Sequence, residues 1–240
     1  MASERPRFRR VLLKLSGEAL MGDRSFGLDA GVVERVAAEI KTVHDLGVET
    51  GIVIGGGNIF RGLQGEALGI GRVSGDHMGM LATIINAIAL GEALRRIGSD
   101  ARVMTAIDMI KIAEPYVRNR AVAHLAKGRI VIFAAGTGNP YFTTDTAAAL
   151  RAAEIDAEVL LKATKVDGVY DADPEKDPAA RPFEKMTYGE VLERKLRVMD
   201  LTAVSLAMGQ GLPILVFNLR KQGNIRKAVC GEPVGTLISA

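Results

Sequence analysis

The sequence predicts an α/β protein whose central sheet is mostly parallel and is covered by helices on both faces. Short apolar runs of strand length alternate along the chain with stretches of helical periodicity, an order typical of βαβ units. These runs are too continuously hydrophobic for strands with one face in solvent, which is typical of parallel strands buried on both sides. Ligands of such sheets bind at the carboxyl ends of the strands, so we expect the functional residues there.

Six runs are predicted as strands. Each is six or seven residues long and is rich in Val, Ile, Leu and Ala. The segment from about Val166 to Phe183 is irregular and rich in Asp and Pro, so no regular element is predicted within it. The predicted strands are Arg9–Leu15, Val48–Ile54, Ala101–Ala106, Arg129–Ala134, Ala157–Lys162 and Pro213–Asn218.

Three helices are predicted between these strands. Ala30–Leu46 has an apolar stripe at helical spacing, and a shorter helix covers about Asp145–Ala153. The third helix starts with Asp76 as its N-cap, runs to about Ile97 and is apolar nearly all round. A surface helix should have one polar face, so this one is either a central core helix or a helix whose second face packs against another subunit.

Composition narrows the class of protein. The 240 residues are 48% hydrophobic and 25% charged, which excludes disorder. No apolar run approaches the roughly 20 residues of a membrane span. The one cysteine, Cys230, forms no internal disulfide, which indicates a cytoplasmic protein. Three histidines and one cysteine leave little for a transition-metal site, so no metal held by the protein alone is predicted.

The charge distribution argues against nucleic acid as a partner. The first ten residues hold four arginines and one glutamate and so account for the formal net charge of +3. A nucleic-acid-binding protein usually carries its basic charge on the folded body. We therefore predict a flexible basic tail over residues 1–8 and a single folded domain over residues 9–240.

Two segments that follow the first two strands have the residues of phosphate-binding loops. In Lys14-Leu-Ser-Gly-Glu18, Ser16 and the backbone amides can donate to phosphate oxygens, and Lys14 can contact a phosphoryl group, although a strand-end lysine is often simply solvated. In Gly55-Gly-Gly-Asn-Ile-Phe-Arg-Gly62, successive amides without Cβ atoms form a nest for an anion, and Arg61 adds a planar cation. The alternative for the glycine run is a structural loop.

Two later segments suit other parts of a ligand. Gly136-Thr-Gly-Asn-Pro-Tyr-Phe-Thr-Thr-Asp145 offers short donors for a sugar, a base edge or a phosphate, and Thr143 or Thr144 can cap the following helix. A plain capped turn would explain part of this pattern. In Lys162-Ala-Thr-Lys-Val-Asp-Gly-Val-Tyr-Asp-Ala-Asp-Pro174, Tyr170 offers an aromatic face to a base, unless the segment is only a glycine turn before an acidic loop. Thr164 and Asp173 would be polar contacts beside it, and Lys165 could meet a phosphate.

Two common nucleotide-binding motifs are missing from the sequence. It has no G-x-x-x-x-G-K-[ST] and no G-x-G-x-x-G, so neither a P-loop kinase nor a dinucleotide-binding Rossmann domain is predicted. Several separate phosphate-seeking loops, without a strong nucleophile or a metal cluster, favour phosphoryl transfer achieved by positioning and charge.

Five segments are informative as a set: Lys14-Leu-Ser-Gly-Glu-Ala-Leu20, Val53-Ile-Gly-Gly-Gly-Asn-Ile-Phe-Arg-Gly62, Gly75-Asp-His-Met-Gly-Met-Leu-Ala-Thr83, Gly136–Asp145 and Lys162–Tyr170. In order and separation they closely resemble those of bacterial UMP kinases (uridylate kinases), a branch of the amino acid kinase family. The resemblance runs from Val11 to Ile238. It implies a three-layer α/β/α fold and the reaction ATP + UMP → ADP + UDP, with Mg²⁺ bound together with ATP, in pyrimidine nucleotide biosynthesis.

The resemblance also implies roles for individual residues. The N-terminal part would serve mainly UMP, with Asp76 on the ribose hydroxyls, and residues from about 160 to 240 mainly ATP. The implied catalytic residues are Lys14, Arg61, Asp145 and Asp200, of which Asp200 could equally cap the next helix. The implied ATP-binding residues are Lys14, Leu15, Ser16, Gly17, Gly57, Arg61, Thr164, Tyr170 and Asp173. The implied UMP-binding residues are Gly56, Asp76, Thr137, Gly138, Asn139, Pro140, Tyr141, Phe142, Thr143 and Thr144.

Assembly and regulation follow from the same resemblance. The resemblance implies a homohexamer built from dimers, which is inhibited by UTP and activated by GTP. The apolar helix from Asp76 to Ile97 suits the dimer contact. The sequence contains no tryptophan, and Gly91 and Glu92 stand where an Arg-Asp pair is familiar. The basic residues kept for a GTP site are Arg95, Arg102 and Arg129.

Two other functions remain open. A relative that phosphorylates a carboxylate or a carbamate would need basic residues in its acceptor loop, and Thr137–Thr144 contains none. A non-catalytic nucleotide sensor or a nucleic-acid-binding regulator is supported only by the arginine-rich segment Arg5–Arg10.

Overall fold

The computed structural model describes residues 5–61, 65, 68–172, 174, 176–177, 179–194, 196 and 198–240. The strands are β1 (Arg10–Leu15), β2 (Glu49–Ile54), β3 (Ala101–Thr105), β4 (Glu114–Pro115), β5 (Ile130–Ala134), β6 (Val159–Thr164), β7 (Lys185–Thr187), β8 (Ile214–Asn218) and β9 (Thr236–Ser239). The helices are α1 (Ala30–His44), α2 (Arg72–Arg96), α3 (Arg118–Ala126), α4 (Thr144–Glu154), α5 (Tyr188–Glu193), α6 (Leu201–Gly209) and α7 (Asn224–Cys230), with a short 3₁₀ helix at Gly17–Leu20.

These strands form one sheet in the order β4-β3-β5-β2-β1-β6-β8-β9-β7. Every neighbouring pair is parallel except β8 and β9, which are antiparallel. The central strands are buried along almost their whole length, because helices cover both of their faces. The predicted α/β class with a mostly parallel sheet is confirmed.

Two hydrophobic cores lie on opposite faces of the sheet. Along β1, Val11, Leu13 and Leu15 belong to one core and Leu12 to the other, as the alternation of side chains in a strand requires. The first core is packed by α1, α2 and α7, and the second by α3, α4, α5 and α6. The molecule therefore has the three layers, α/β/α, that the resemblance implied.

The six predicted strands are all present, and five of them have boundaries within one residue of the prediction. The strand predicted over Ala157–Lys162 lies two residues later, because Ala157 still belongs to the turn after α4 and donates its N–H to the Ala152 carbonyl (2.9 Å). Three further strands, β4, β7 and β9, are not predicted from the sequence. They have two to four residues each, too few to show a hydrophobic pattern.

The long apolar helix begins earlier than predicted. Gly71 is its N-cap, so the N-cap role predicted for Asp76 is wrong. Asp76 lies one turn inside α2, where its carboxylate accepts hydrogen bonds from Arg72 Nε (2.9 Å) and from the N–H of Tyr141 (2.8 Å). The second of these bonds ties α2 to the segment that follows β5.

The two faces of α2 have different surroundings. Among the described residues it is the one helix that is long and apolar enough to cross a membrane by length and composition, yet 56% of its apolar window is buried inside the fold. A buried share of this size is typical of a core helix. On the opposite face a row of large apolar side chains is exposed, namely Met78, Leu81, Ile85 and Ile88.

The N-terminal segment contacts the folded domain from Arg7 onward. The Arg7 N–H donates to the Val229 carbonyl (2.9 Å), and Phe8 packs against the first core. Arg10 pairs with Glu49 (2.5 Å). Arg10, one of the four arginines that account for the net charge, therefore forms an ion pair with the folded domain.

The sheet order determines where the site can form. β5, β2, β1 and β6 are consecutive neighbours at the centre of the sheet. The four ligand-binding segments predicted from the sequence leave the carboxyl ends of these four strands. They therefore lie side by side along one edge, as expected for a parallel sheet.

Candidate active site

Two clefts open along this edge. The first, here called the α2 cleft, lies between the glycine run after β2, the first turns of α2 and the loop from β5 to α4. Seven of the ten residues predicted to hold UMP line it. The full lining is Gly56, Gly57, Phe60, Gly75, Asp76, Gly79, Met80, Thr83, Ala135, Gly136, Thr137, Asn139, Phe142, Thr143 and Thr144.

Polar groups reach the α2 cleft from two sides. Asp76 lies on the α2 side. On the other side Thr143 is the N-cap of α4, as predicted, and its Oγ1 accepts the N–H groups of Asp145 (3.0 Å) and Thr146 (3.2 Å). The amino end of an 11-residue helix favours an anion. The cleft can therefore hold a phosphate near α4 and hydroxyl groups near Asp76.

Three of the residues predicted for UMP do not line the α2 cleft: Gly138, Pro140 and Tyr141. Gly138 has φ +80°, and a Cβ there would lie 2.8 Å from the Ala106 carbonyl oxygen, so it shapes the loop. Tyr141 has φ +72° and an exposed ring, and it contributes the N–H that binds Asp76.

The glycine run allows three backbone segments to approach one another closely. A Cβ on Gly56 would lie 2.8 Å from the Gly79 carbonyl oxygen on α2. A Cβ on Gly17 would lie 2.5 Å from Asn58 Oδ1 and 2.6 Å from the Gly55 carbonyl oxygen. Any side chain at either position would push the loops apart. The structure thus gives the glycines a packing role, whether or not their amides also bind an anion.

The second cleft, here called the β6 cleft, runs along the end of β6 and has a volume of about 650 Å³. That volume is within the usual range of small-molecule sites. Its lining combines three lysines with Tyr170 and several apolar side chains. The lining residues are Lys14, Ser16, Glu18, Lys162, Ala163, Thr164, Lys165, Val166, Gly168, Val169, Tyr170, Asp171, Ala172, Pro174, Leu196, Val198 and Val216.

A buried charge cluster stands at the carboxyl edge between β1 and β6. Lys14 on β1 and Lys162 on β6 are register partners, and the Asp145 carboxylate from α4 lies between them. The distances are 2.7 Å from Lys14 Nζ to Asp145 Oδ1 and 2.6 Å from Lys162 Nζ to Asp145 Oδ2. The prediction that Asp145 orients lysines therefore agrees with the geometry.

Burial and charge act in opposite directions within this cluster. Burial alone would raise the pKa of Asp145, but the charges of Lys14 and Lys162 outweigh it and hold the pKa below its ordinary value. Burial, only partly offset by Asp145, lowers the pKa of the Lys162 ammonium to about 8. At neutral pH Asp145 therefore stays ionised and Lys162 stays mostly protonated, and both lysines of the cluster line the β6 cleft.

A second charged group links the glycine run to the β6 cleft. Glu18 pairs with Arg61 and with Lys165, whose Nζ lies 2.6 Å from Glu18 Oε2. Arg61 also donates to the Gly57 carbonyl (3.1 Å). The hydrogen bond from Lys165 lowers the pKa of Glu18, and the charge of Arg61 adds to the effect. Glu18 thus holds two cations beside the charge cluster.

Asp200 accepts hydrogen bonds from three residues. It caps the following helix, which is the alternative predicted from the sequence, and its Oδ1 accepts the N–H of Ala203 in α6 (2.9 Å). It also accepts hydroxyl hydrogen bonds from Thr143 (2.5 Å) and Thr146 (2.9 Å). Asp200 therefore fixes the amino end of α4 against that of α6, next to the charge cluster.

The predicted ATP-binding residues are not all in one place. Lys14, Ser16, Thr164 and Tyr170 line the β6 cleft. The Leu15 side chain is buried in the core, and Gly57 lines the α2 cleft. Gly17 lies where the loop after β1 contacts the glycine run after β2. Arg61 pairs with Glu18, which lines the β6 cleft. Asp173 is outside the described residues.

Three residues at or beside the clefts, Lys162, Glu18 and Thr83, have no predicted role in the site. Lys162 lies at the end of its predicted strand as Lys14 does in the first strand, but the sequence does not show that the two strands are neighbours. Glu18 was read only as the end of a loop. Thr83 ends the informative segment Gly75–Thr83, but nothing in the sequence indicates that its hydroxyl bonds to the loop after β5.

Comparison with known proteins identifies the class that this fold and site define. Residues 9–218 match the amino acid kinase family. The chain belongs to that family. Lysines and glycine-rich loops at the carboxyl edge of a three-layer sheet are the chemistry that a phosphoryl-transferring member of it needs.

Three solved structures are similar to this chain over nearly its whole length. The UMP kinase of Bacillus anthracis is 44% identical, with a TM-score of 0.95 over 98% of this chain and 97% of that chain. The UMP kinase of Ureaplasma parvum is 37% identical, with a TM-score of 0.92 over 98% and 100%. The uridylate kinase of Archaeoglobus fulgidus is 31% identical, with a TM-score of 0.76 over 95% and 99%.

The charge cluster predicts a pH-dependent effect of Asp145→Asn. Without the carboxylate two buried ammonium groups face each other, so we expect a loss of about 3 kcal/mol in the free energy of unfolding at pH 7. The folded-state pKa of Lys162 lies below that of a free lysine, so the unfolded chain binds more protons between pH 8 and 10.5. The stability of the parent therefore rises with pH in that window. Loss of Asp145 lowers the pKa of Lys162 further, so the variant sheds this buried charge at a lower pH than the parent, and its deficit should be smaller at pH 9.5 than at pH 7.

Urea unfolding at pH 7 and pH 9.5 measures both effects. The control is Asp45→Asn, which breaks the exposed pair between Lys41 and Asp45 (2.7 Å) and should cost less than about 1 kcal/mol. An Asp145→Asn protein as stable as the parent at pH 7 would contradict the account of the cluster.

Proposed function

We propose that the protein is a UMP kinase, which transfers the γ-phosphoryl group of ATP to UMP and releases ADP and UDP. The observation that carries the proposal is the pair of clefts, one suited to a sugar phosphate and one to a purine nucleotide, on either side of the Lys14–Asp145–Lys162 cluster. The names of the relatives with similar structures support the same reaction.

UMP would occupy the α2 cleft. Asp76 can accept hydrogen bonds from the two ribose hydroxyls, and the amino end of α4 can receive the phosphate. The base would meet the hydroxyl and amide groups of the loop, from Thr137 to Thr144. Gly56 allows α2 and the glycine run to enclose the nucleotide closely.

ATP would occupy the β6 cleft. Tyr170 and the apolar wall suit the adenine, and Thr164 and Asp173 are assigned to the base and ribose side. The phosphates would extend toward Ser16 and Gly17, with Lys14 and Arg61 as their cations. Leu15 and Gly57 can contribute through their backbone, because the Leu15 side chain is in the core.

Transfer would then depend on charge and position. The ammonium groups of Lys14 and Lys162 are held at a fixed separation by Asp145, so they can stabilise the negative charge that shifts toward the leaving oxygen. Asp200 acts through Thr143 and Thr146, and so sets the amino end of α4 that faces the acceptor. No protein nucleophile is needed.

Mg²⁺ would enter with ATP. Among the described residues no three His, Cys, Asp or Glu side chains form a metal-binding group. The carboxylates nearest to the phosphates, Asp145 and Glu18, are already paired with cations. This donor set fits a Mg²⁺ held mainly by the phosphates and by the several waters that the ion usually keeps. When bound, the ion neutralises phosphate charge.

The exposed apolar row of α2 supports an oligomer. Met78, Leu81, Ile85 and Ile88 lie on one face, and a contiguous apolar surface of this kind is typical of an interface. A second copy of the chain packed along α2 would bury it and form a dimer. Three such dimers would give the homohexamer that the resemblance implies.

Regulation and location belong to the proposal as well. UTP as inhibitor and GTP as activator follow from the resemblance. Arg102 and Arg129 both pair with Asp100 near the end of α2, where they could meet an anionic effector. Arg95 lies nearby and donates to the Ala101 carbonyl (3.1 Å). A cytoplasmic location, expected from the single cysteine, stays a prediction.

The choice of phosphoryl acceptor is the simplest test of the proposal. In a coupled assay of ADP release we expect rapid turnover of UMP and slower turnover of CMP. For dUMP we expect kcat/KM to be at least about 100-fold lower, because Asp76 would lose a hydroxyl partner. Glutamate and carbamate should give no turnover. Turnover of either of these with none of UMP would overturn the proposal.

Lys14 and Asp76 should affect different kinetic constants. Lys14→Ala removes charge stabilisation from the transition state, so kcat should fall about 100-fold while the KM for UMP changes little. Asp145 keeps Lys162 as its partner in that variant. Asp76→Asn should mainly raise the KM for UMP and reduce the preference for UMP over dUMP. Steady-state kinetics at saturating MgATP measure both, and a near-normal kcat for Lys14→Ala would show that its loop is only structural.

The α2 row predicts the effect of a charge on assembly. Ile85→Asp places a carboxylate in the proposed interface but on a side chain that is exposed in the single chain, so the protein should fold and dissociate. Sedimentation at micromolar concentration measures the mass. The control is Met208→Asp, an exposed apolar residue on α6. A parent protein that sediments only near 26 kDa would contradict the oligomer.

A further inference from the structure

One face of α2 carries buried polar side chains in an otherwise apolar setting. Thr83 and Asn86 are buried, and they lie on the same side of the helix as Asp76, because spacings of seven and three residues return to one face. Asn86 donates to the Gly55 carbonyl (2.7 Å) and exchanges hydrogen bonds with Asn58, so it anchors the glycine run. Thr83 anchors a different segment.

The Thr83 hydroxyl joins α2 to the loop from β5 to α4. Its Oγ1 accepts the N–H of Ala135 (2.8 Å) and donates to the Met80 carbonyl (2.7 Å), and the residue is 2% exposed. Its one hydrogen is therefore committed to α2 and its oxygen to the loop. Although Thr83 lines the α2 cleft, its hydroxyl acts through Ala135.

The loop that Thr83 holds has an unfavourable backbone conformation. Ala135 has φ +63°, a left-handed value that residues with a Cβ rarely adopt, and Gly136 follows with φ +59°. Such conformations persist only where surrounding contacts impose them. In the described part of the chain, two other hydrogen bonds act at these two residues: the Gly138 N–H donates to the Ala135 carbonyl within the loop (2.9 Å), and the buried Arg151 donates a long bond to the Gly136 carbonyl (3.4 Å). Of the three, the bond to Thr83 is the shorter of the two that tie the start of the loop to another element.

We propose that Thr83 is a positioning residue that keeps the β5–α4 loop in the conformation that binds the acceptor nucleotide. The inference rests on the proposed function, because it assigns this loop to UMP. Without the hydroxyl the loop would occupy the competent conformation for only part of the time. The apparent affinity for UMP would fall by that fraction, while the saturated enzyme would turn over normally.

The test is Thr83→Val, which keeps the shape of the side chain and removes the hydroxyl. One buried hydrogen bond corresponds to about a tenfold change, so the KM for UMP should rise about tenfold. The kcat and the KM for MgATP should stay within about twofold of the parent. Thr83→Ser restores the hydroxyl and should return the KM for UMP to within about twofold.

The matched control is Thr50→Val. Thr50 is also 2% exposed and loses a comparable hydrogen bond, to the Val48 carbonyl (3.0 Å), but it lies in β2 away from both clefts. It should change the melting temperature without changing either KM. If Thr83→Val does not fold, Thr83→Ala carries the same test with a smaller side chain.

The outcomes separate this inference from the proposed function. A parent protein that does not phosphorylate UMP would overturn both. A parent that does so, with a Thr83→Val variant whose KM for UMP is normal, would overturn the role of Thr83 alone. An equal rise in both KM values would also overturn it, because a general loss of structure does not select the acceptor.

Discussion

Two lysine ammonium groups lie side by side at the edge of this sheet, and one carboxylate between them makes that arrangement possible. Register pairing of β1 with β6 brings Lys14 and Lys162 together, and α4 supplies Asp145. The other parts of the site are built around this point. Thr143 starts α4, Asp200 fixes that start, and Glu18 holds further cations nearby. Under the proposed function, the cluster would determine where the phosphates of the two substrates meet.

Much of the fold and the outline of the site could be predicted from the sequence. Continuous apolar runs gave the strands of a parallel sheet, and topology then placed the four loop segments at one edge. Thr143 was proposed as a ligand-binding residue because short polar side chains cluster in its loop, whereas the ligand role of Asp76 came from the resemblance alone. The strand that contains Lys162 begins two residues later than predicted, because Ala157 belongs to the turn after α4.

The remaining features depend on tertiary contacts that no local pattern encodes. Asp76 resembled a helix cap, but Gly71 starts the helix and Asp76 binds a distant N–H instead. Lys162 lies beside Lys14 only because β1 pairs with β6, two strands that are far apart in the sequence. The partner of Thr83, Ala135, is 52 residues away. Short edge strands such as β9 depend on pairing with their neighbours and have no periodicity of their own.

The central claim is that a phosphoryl group passes directly from a nucleotide in the β6 cleft to one in the α2 cleft, with charge and position as the means of catalysis. The stereochemical course of the reaction tests it most directly. ATP made chiral with oxygen isotopes at the γ-phosphorus would be used to phosphorylate UMP, and the configuration of the transferred group would be determined. A single in-line transfer predicts inversion. Retention would require a phosphorylated protein intermediate and would contradict the account.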